Sequence, residues 1–212
     1  MTVLHFVIIA LAGYLLGSFN GAILISRWLR KEDIRARGSG NAGLTNFYRN
    51  YGGMDTLLVL VIDVGKAVLA CFIGQWILGA KAPDWATFGA VYCGVFTVLG
   101  HVFPIWFGFK GGKGILTSGA VGAFVSWKII GALLVVFIIV LLLSRYVSLG
   151  SIVCCGVYPF LFWWFTPPDQ HPLYVTLLSV VLSLLALWMH RTNIQRLAAG
   201  KENKFTFHKS KS

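Results

Sequence analysis

The stretch ILTSGAVGAFVSWKIIGALLVVFIIVLLL, residues 115–143, decides how this chain is organised. A helix that crosses a bilayer needs about 20 apolar residues, and this run is far longer. Ser126, Trp127 and Lys128 interrupt it, and Gly131 follows. Trp beside Lys favours a membrane interface over the hydrocarbon interior. The stretch therefore reads as two short helices, about 115–126 and 129–143, with one tilted helix as the alternative. Outward from it, apolar runs of spanning length cover about 3–25, 56–79, 86–106, 150–166 and 173–189. The expected fold is all-α: a polytopic transmembrane helix bundle of seven spans, five in the alternative. Both counts are odd, so the termini fall on opposite sides, the N-terminus outside and the C-terminus in the cytoplasm. Residues 1–212 read as a single integral membrane domain without internal repeats.

Composition agrees with that reading. Hydrophobic residues make up 57% of the chain and charged residues 12%. Soluble domains carry about 25% charged residues, so a soluble enzyme, a disordered chain and a coiled coil are all disfavoured. The first apolar run, Val3 to Ile25, is followed rather than preceded by its basic residues Arg27, Arg30 and Lys31. It is also longer than the core of a signal peptide, so it reads as a retained span. Cys71, Cys93, Cys154 and Cys155 all lie in apolar runs and form no C-x-x-C pair, which points to reduced core thiols. Gly13, Gly17 and Gly21, spaced by four, read as a helix-packing stripe.

The net charge is +11, from 18 Lys and Arg against 7 Asp and Glu. In the seven-span arrangement, 26–54, 107–114, 144–149 and 190–212 share one side and hold 15 of those 18 cations. The positive-inside rule places that side in the cytoplasm. The final residues, including Lys209 and Lys211, read as a solvated tail leaning on anionic headgroups. Because the cations are divided among short membrane-bound loops, nucleic-acid recognition is disfavoured.

Three basic-side segments carry polar chemistry. The first, Asp33 to Arg49, combines Gly38, Gly40 and Gly43 with Ser39, Asn41, Thr45 and Asn46. Glycines let backbone amides approach an anion closely, and Arg49 can engage two phosphate oxygens at once. The second holds Gly100-His101, then Gly111-Gly112-Lys113-Gly114. It looks like a P-loop but lacks the required Gly at position 107 and Ser or Thr at 114, where Phe107 and Gly114 stand, so nucleotide hydrolysis is not supported. The third runs from His190 to Leu197, with Gly200 and Glu202 beyond. On a continuing helix His190 and Asn193 share a face, as do Asn193 and Arg196, and a His–Asn pair there can position a hydroxyl nucleophile. Asp63 and Lys66, three apart within a span, can pair with each other, either as a functional site or as a buried structural ion pair. Arg145 and Ser148 join the basic side only if the span count is seven. No His-x4-Asp pair, nucleophile elbow or two-metal carboxylate cluster is present.

Taken together, these segments resemble the bacterial acyl-phosphate-dependent glycerol-3-phosphate acyltransferase family. The resemblance runs in order over nearly the whole chain: Asp33-Ile34-Arg35, Gly38 to Asn41, Thr45-Asn46, Gly100-His101, Gly111 to Gly114, Arg145 to Ser148 and His190 to Glu202. Asp63 and Lys66 also match. Asn20, where Pro is usual, and Ala67, where Gly is usual, depart from the pattern. The resemblance implies an integral enzyme of the bacterial cytoplasmic (inner) membrane with its active site on the cytoplasmic side. Such an enzyme transfers a fatty acyl group from acyl phosphate to the 1-hydroxyl of glycerol 3-phosphate, giving lysophosphatidic acid. It implies functional positions at Ser39, Arg49, Lys113, His190 and Asn193. Candidate substrate-binding positions are Gly40, Asn41, Thr45, Asn46, His101, Gly111, Gly112, Gly114, Arg145 and Ser148. Glu202 matches a position important for integrity, and Asp63 and Lys66 are assigned structural roles. Acyl phosphate is an activated anhydride, so neither a metal nor a cofactor is expected. Expected partners are glycerol 3-phosphate, long-chain acyl phosphate, membrane lipid and the soluble enzyme that makes acyl phosphate. The rival reading is a membrane transporter of organic phosphate anions.

Overall fold

A computed structural model describes residues 2–205; the tail lysines Lys209 and Lys211 lie outside the described residues. Ten α-helices follow in order: α1 (Val3–Gly17), α2 (Gly21–Leu29), α3 (Leu44–Tyr51), α4 (Gly53–Gly79), α5 (Ala86–Val102), α6 (Ile115–Val125), α7 (Trp127–Ser144), α8 (Val147–Phe165), α9 (Pro172–Met189) and α10 (Arg191–Ala198).

Among the described residues, six segments are long and apolar enough to cross a membrane: Val3–Leu29, Gly53–Gly79, Pro83–Phe107, Trp127–Ser144, Val147–Phe165 and Pro172–Met189. The seven full spans expected are therefore six, plus the half-length helix α6. The 11 residues of α6 rise only about 16 Å, roughly half of a hydrocarbon core. The single tilted helix over 115–143 does not form. Ser126 is fully extended (φ −158°, ψ 131°), ending α6 and beginning α7. Its hydroxyl accepts from the Lys128 amide at 3.3 Å, so the chain turns back at that residue.

The first span is also broken. The backbone leaves helical geometry at Ser18–Asn20, and Asn20 caps α2 by accepting from the Ile23 amide at 3.1 Å. The freed carbonyls of Gly17 and Phe19 accept from the Lys66 ammonium at 3.1 and 2.9 Å. Lys66 also donates to Asp63 Oδ1 at 2.7 Å and lies 3.0 Å from His101 Nδ1, while Asp63 accepts from the Gly21 amide at 3.1 Å. A buried charge is tolerable when its protons are all engaged, and here the pair holds a helix break whose polar groups have no water to turn to.

Packing follows from the small residues. A Cβ at Gly17 would collide with the Thr97 backbone, and one at Gly13 with the Cys93 carbonyl, so α1 lies directly on α5. Gly74 and Gly89 play the same part between α4 and α5. A core of Ala67, Val91, Val98, Val121, Phe162 and Leu182 joins α4, α5, α6, α8 and α9. By contrast α7 stands at the edge, with Leu134, Val135, Ile138, Leu142 and Leu143 exposed, as a lipid-facing helix requires. All four cysteines are free. At the end remote from the basic segments, Gln170 donates to the Pro83 carbonyl at 3.2 Å and accepts from the Thr87 amide at 3.1 Å, tying the starts of α5 and α9.

Candidate active site

Four segments distant in sequence meet at one end of the bundle. They are the loop before α3 with α3 itself, the loop between α5 and α6, the start of α8, and the α9–α10 junction. They border a half-open cavity of about 560 Å³. Lys113 and Ser148 both line it, so α6 and α7 leave from and return to the same end.

The first loop is built around Asn46. Its Oδ1 accepts from the Ser39 amide at 3.0 Å, and its Nδ2 donates to the carbonyls of Arg37 at 3.1 Å and Asn41 at 3.0 Å. Asn46 thus shapes the loop that presents Ser39, Asn41, Thr45 and Arg49 to the cavity. Arg35 locks that loop onto the second one. Its guanidinium pairs with both Asp33 oxygens at 2.8 and 2.9 Å and donates to the carbonyls of Phe107 at 2.7 Å and Lys110 at 3.0 Å. Hydrogen bonds from Arg35 hold the Asp33 carboxyl well below the usual carboxylate range.

The glycines behave differently from the oxyanion-wrapping role expected of them. The amides of Gly111 and Gly112 donate to the carbonyls of Val102 and His101 at 3.0 and 3.1 Å, and that of Gly40 to Arg37 at 3.0 Å. None of these three lines the cavity. For Gly111 and Gly112 the role is close approach: a Cβ on Gly112 would strike His101 and the Ala42 carbonyl, and one on Gly111 the His101 carbonyl, whereas Gly40 supplies a positive φ of +72°. Gly114, which does line the wall, has φ +82° and starts α6. Arg145 is exposed and outside the cavity wall; it is the left-handed residue between α7 and α8, φ +62°.

Lys113 is the central cation. It donates to Asn193 Oδ1. Asn193 Nδ2 donates to Glu202 Oε1 at 3.0 Å, and Arg196 Nε donates to Glu202 Oε2 at 2.9 Å. Burial pushes the Lys113 ammonium down to about 8, helped by Arg196 and Arg49 and opposed by Glu202. For Glu202, burial acts to raise the pKa, but the bonds from Arg196 and Asn193 outweigh it and the net direction is downward. Arg196 also faces the cavity and completes its cationic rim; its spacing of three from Asn193 is the signal that marks it in the sequence.

The chain does not continue as one helix through His190. The residue caps α9 (φ −93°, ψ 4°), and α10 starts afresh at Arg191. Its Nδ1 lies 2.8 Å from the Ala186 carbonyl. A carbonyl only accepts, so Nδ1 carries the proton and Nε2 presents a lone pair. Burial pushes His190 down to about 4, so the imidazole is neutral near pH 7. His190 and Asn193 line one cavity, but Asn193 spends its amide on Lys113 and Glu202 rather than on His190.

Below this rim the wall turns apolar. Leu116, Leu133, Phe137, Cys155, Tyr158 and Leu182 line it, with the hydroxyls of Ser151 and Ser183 among them. Among the described residues, no group of three or more His, Cys, Asp or Glu is placed to hold a metal ion.

A cationic, hydroxyl-bearing rim over an apolar well, set into a bundle of membrane-spanning helices, defines a membrane protein suited to an amphiphile with an anionic head. Comparison narrows the class. A family model described as glycerol-3-phosphate acyltransferase matches residues 7–200, and the chain belongs to that family. A glycerol-3-phosphate acyltransferase of Prochlorococcus marinus (strain MIT 9215) is 37% identical over 93% of this chain and 96% of its own length. One of Finegoldia magna is 37% identical over 96% and 98%. Among solved structures, PlsY (YgiH), an integral membrane glycerol 3-phosphate acyltransferase in its glycerol 3-phosphate form, superposes with a TM-score of 0.81 at 33% identity. That match covers 95% of this chain and 96% of that one. Its lysophosphatidic acid form gives a TM-score of 0.80 at 32% identity, covering 95% of each chain. The chain is therefore an integral membrane acyltransferase of phospholipid synthesis.

Proposed function

We propose that this enzyme transfers a fatty acyl group from acyl phosphate to the 1-hydroxyl of glycerol 3-phosphate, releasing lysophosphatidic acid and phosphate, on the cytoplasmic side of a bacterial inner membrane. One observation carries the reading: a single cavity joins a rim of Ser39, Arg49, Lys113 and Arg196 to an apolar well. Two phosphates need the rim and one acyl chain needs the well. The similar PlsY structures, described as glycerol 3-phosphate and lysophosphatidic acid forms, support the same acceptor and product.

The chemistry follows from the residues. Lys113 and Arg49 neutralise the phosphates and hold the reactants together, which lowers both the entropic and the electrostatic part of the barrier. The glycerol 1-oxygen forms a bond to the acyl carbon. The bond from that carbon to the phosphate-bearing oxygen then breaks, and inorganic phosphate leaves. His190 Nε2 accepts the hydroxyl hydrogen bond and aims the oxygen. With a conjugate acid near 4, His190 is a weaker base than a phosphate, whose second pKa is about 6. The proton therefore goes to a substrate phosphate. Asn193 and Glu202 act by holding Lys113 in place.

The transporter reading needs a polar path through the bilayer, whereas the deep wall is mainly apolar, with Leu133, Phe137 and Leu182 set among the scattered hydroxyls of Ser151 and Ser183. The test is purified protein in detergent with acyl phosphate and labelled glycerol 3-phosphate. Labelled lysophosphatidic acid is the expected product. Product only with acyl-CoA overturns the donor assignment. No product with either donor, together with uptake of labelled glycerol 3-phosphate into proteoliposomes, overturns the enzyme reading.

A further inference from the structure

The apolar well between α6, α7, α8 and α9 has a floor. Along α8, Ser148 faces the well near the polar rim, and Tyr158 is the last residue of that helix on its wall. Ten residues separate the two, so the well descends about 15 Å along the helix axis. The Tyr158 side chain is fixed from two directions. Its hydroxyl donates to the Ser118 carbonyl at 2.5 Å, and its ring centroid lies 4.7 Å from that of Phe162, one turn further on. Phe162 has no exposed surface, so the space beneath the tyrosine is filled. Gly122 makes room for the ring: a Cβ there would lie 3.3 Å from Tyr158 Cε2. Higher on the same helix, Gly119 faces the well. A Cβ built on it would meet only Ile130 Cδ1, at an ordinary 3.6 Å, so this glycine keeps the well wide rather than letting helices touch.

We propose that Tyr158 is the floor that sets the acyl-chain length the enzyme accepts, and that Gly119 leaves the width the chain occupies. The inference rests on the acyl phosphate reading above. An apolar pocket discriminates by the methylenes it covers or excludes, on the order of tenfold or more for each. A rigid, fully packed floor discriminates more sharply than a mobile side chain, because its neighbours resist displacement.

The test measures kcat/KM for a series of saturated acyl phosphates from octanoyl to stearoyl, with glycerol 3-phosphate saturating. Tyr158→Ala lowers the floor and should move the profile toward longer chains. Gly119→Leu fills the well from its wall and should lower the palmitoyl-to-octanoyl ratio by about tenfold or more. Tyr158→Phe keeps the ring and should keep the wild-type profile. If Tyr158→Ala fails to fold, Gly119→Leu carries the test alone, since its side chain enters open space. Active variants that both retain the wild-type profile overturn the assignment. Wild-type protein inactive toward every acyl phosphate overturns instead the reading beneath it.

Discussion

Lys113 and Asn193 are 80 residues apart in sequence and share a hydrogen bond across the mouth of the cavity. The bond fixes a lysine that would otherwise sample many rotamers, and Glu202 fixes the asparagine in turn. On the proposed mechanism Lys113→Ala removes the cation that faces developing phosphate charge and should lower kcat/KM by about 10²–10³-fold, the scale of losing one preorganised electrostatic donor. Asn193→Ala leaves the cation but frees it, and should cost about 10–100-fold, the equivalent of one hydrogen bond to a charged group. The double variant should be little worse than Lys113→Ala alone. Additive losses would mean that Asn193 acts on the substrate independently of Lys113.

The buried position of Lys113 predicts a pH dependence with a definite sign. Its pKa is lowered to about 8 by burial, so the ammonium is lost as pH rises through that value. Binding of a phosphate dianion favours the charged form, so the effect belongs to the free enzyme. The kcat/KM for glycerol 3-phosphate should therefore fall above pH of about 8, while kcat at saturation should hold to higher pH. Lys113→Arg, permanently charged, should lack that alkaline limb even if its overall rate is reduced. His190, lowered to about 4 by burial, should contribute no limb near pH 6. An acid limb near 6, the second pKa of a phosphate monoester, should survive in His190→Asn.

Much of the fold was legible because span length is a one-dimensional property. Ser126, Trp127 and Lys128 signalled the turn between α6 and α7, and the extended Ser126 realises it. The break at Ser18–Asn20 was not legible. What makes it tolerable is Lys66, 47 residues from Phe19, and no local pattern announces so distant a partner. Asn20, a departure from the family text, proves to be the α2 cap. The site showed a similar division. Lys113, His190, Asn193, Ser39 and Arg49 all reach one cavity. The close packing of Gly111 and Gly112 was not legible, because a glycine that wraps an anion and one that lets two backbones touch look alike until its neighbour is known.

Glu202 offers a test of positioning at a distance. It touches Asn193 and Arg196 through separate oxygens at 3.0 and 2.9 Å, and its side chain is only 6% exposed. Glu202→Gln keeps the shape but weakens the pull on Arg196. Glu202→Ala leaves both partners unanchored. Activity should fall modestly for Gln and by about 10–100-fold for Ala, one or two charge-assisted bonds being lost. The KM values for glycerol 3-phosphate and acyl phosphate should both rise, because the rim cations that hold the two phosphates scatter while the acyl well is untouched. A change confined to the KM for acyl phosphate would contradict this placement.

The ion pair that holds the first helix break makes an asymmetric prediction. Lys66 donates its three protons to the Gly17 and Phe19 carbonyls and to Asp63, and its Nζ also lies 3.0 Å from His101 Nδ1. Asp63 serves the Gly21 amide and Lys66. Lys66→Met deletes every donor at once and strands a carboxylate that is 1% exposed. Breaking a buried pair in this way costs about 3–5 kcal/mol. Asp63→Asn keeps an oxygen able to accept from both Gly21 and Lys66, so the geometry survives and only the charge balance is lost. Thermal unfolding in detergent should therefore rank wild type above Asp63→Asn, and Asp63→Asn above Lys66→Met. Adding Asp63→Asn to Lys66→Met should recover part of the loss, since the stranded charge disappears while the two bare carbonyls remain. Equal losses in the two single variants would show that the charge pair alone, and not the capping of the broken helix, is what Lys66 provides.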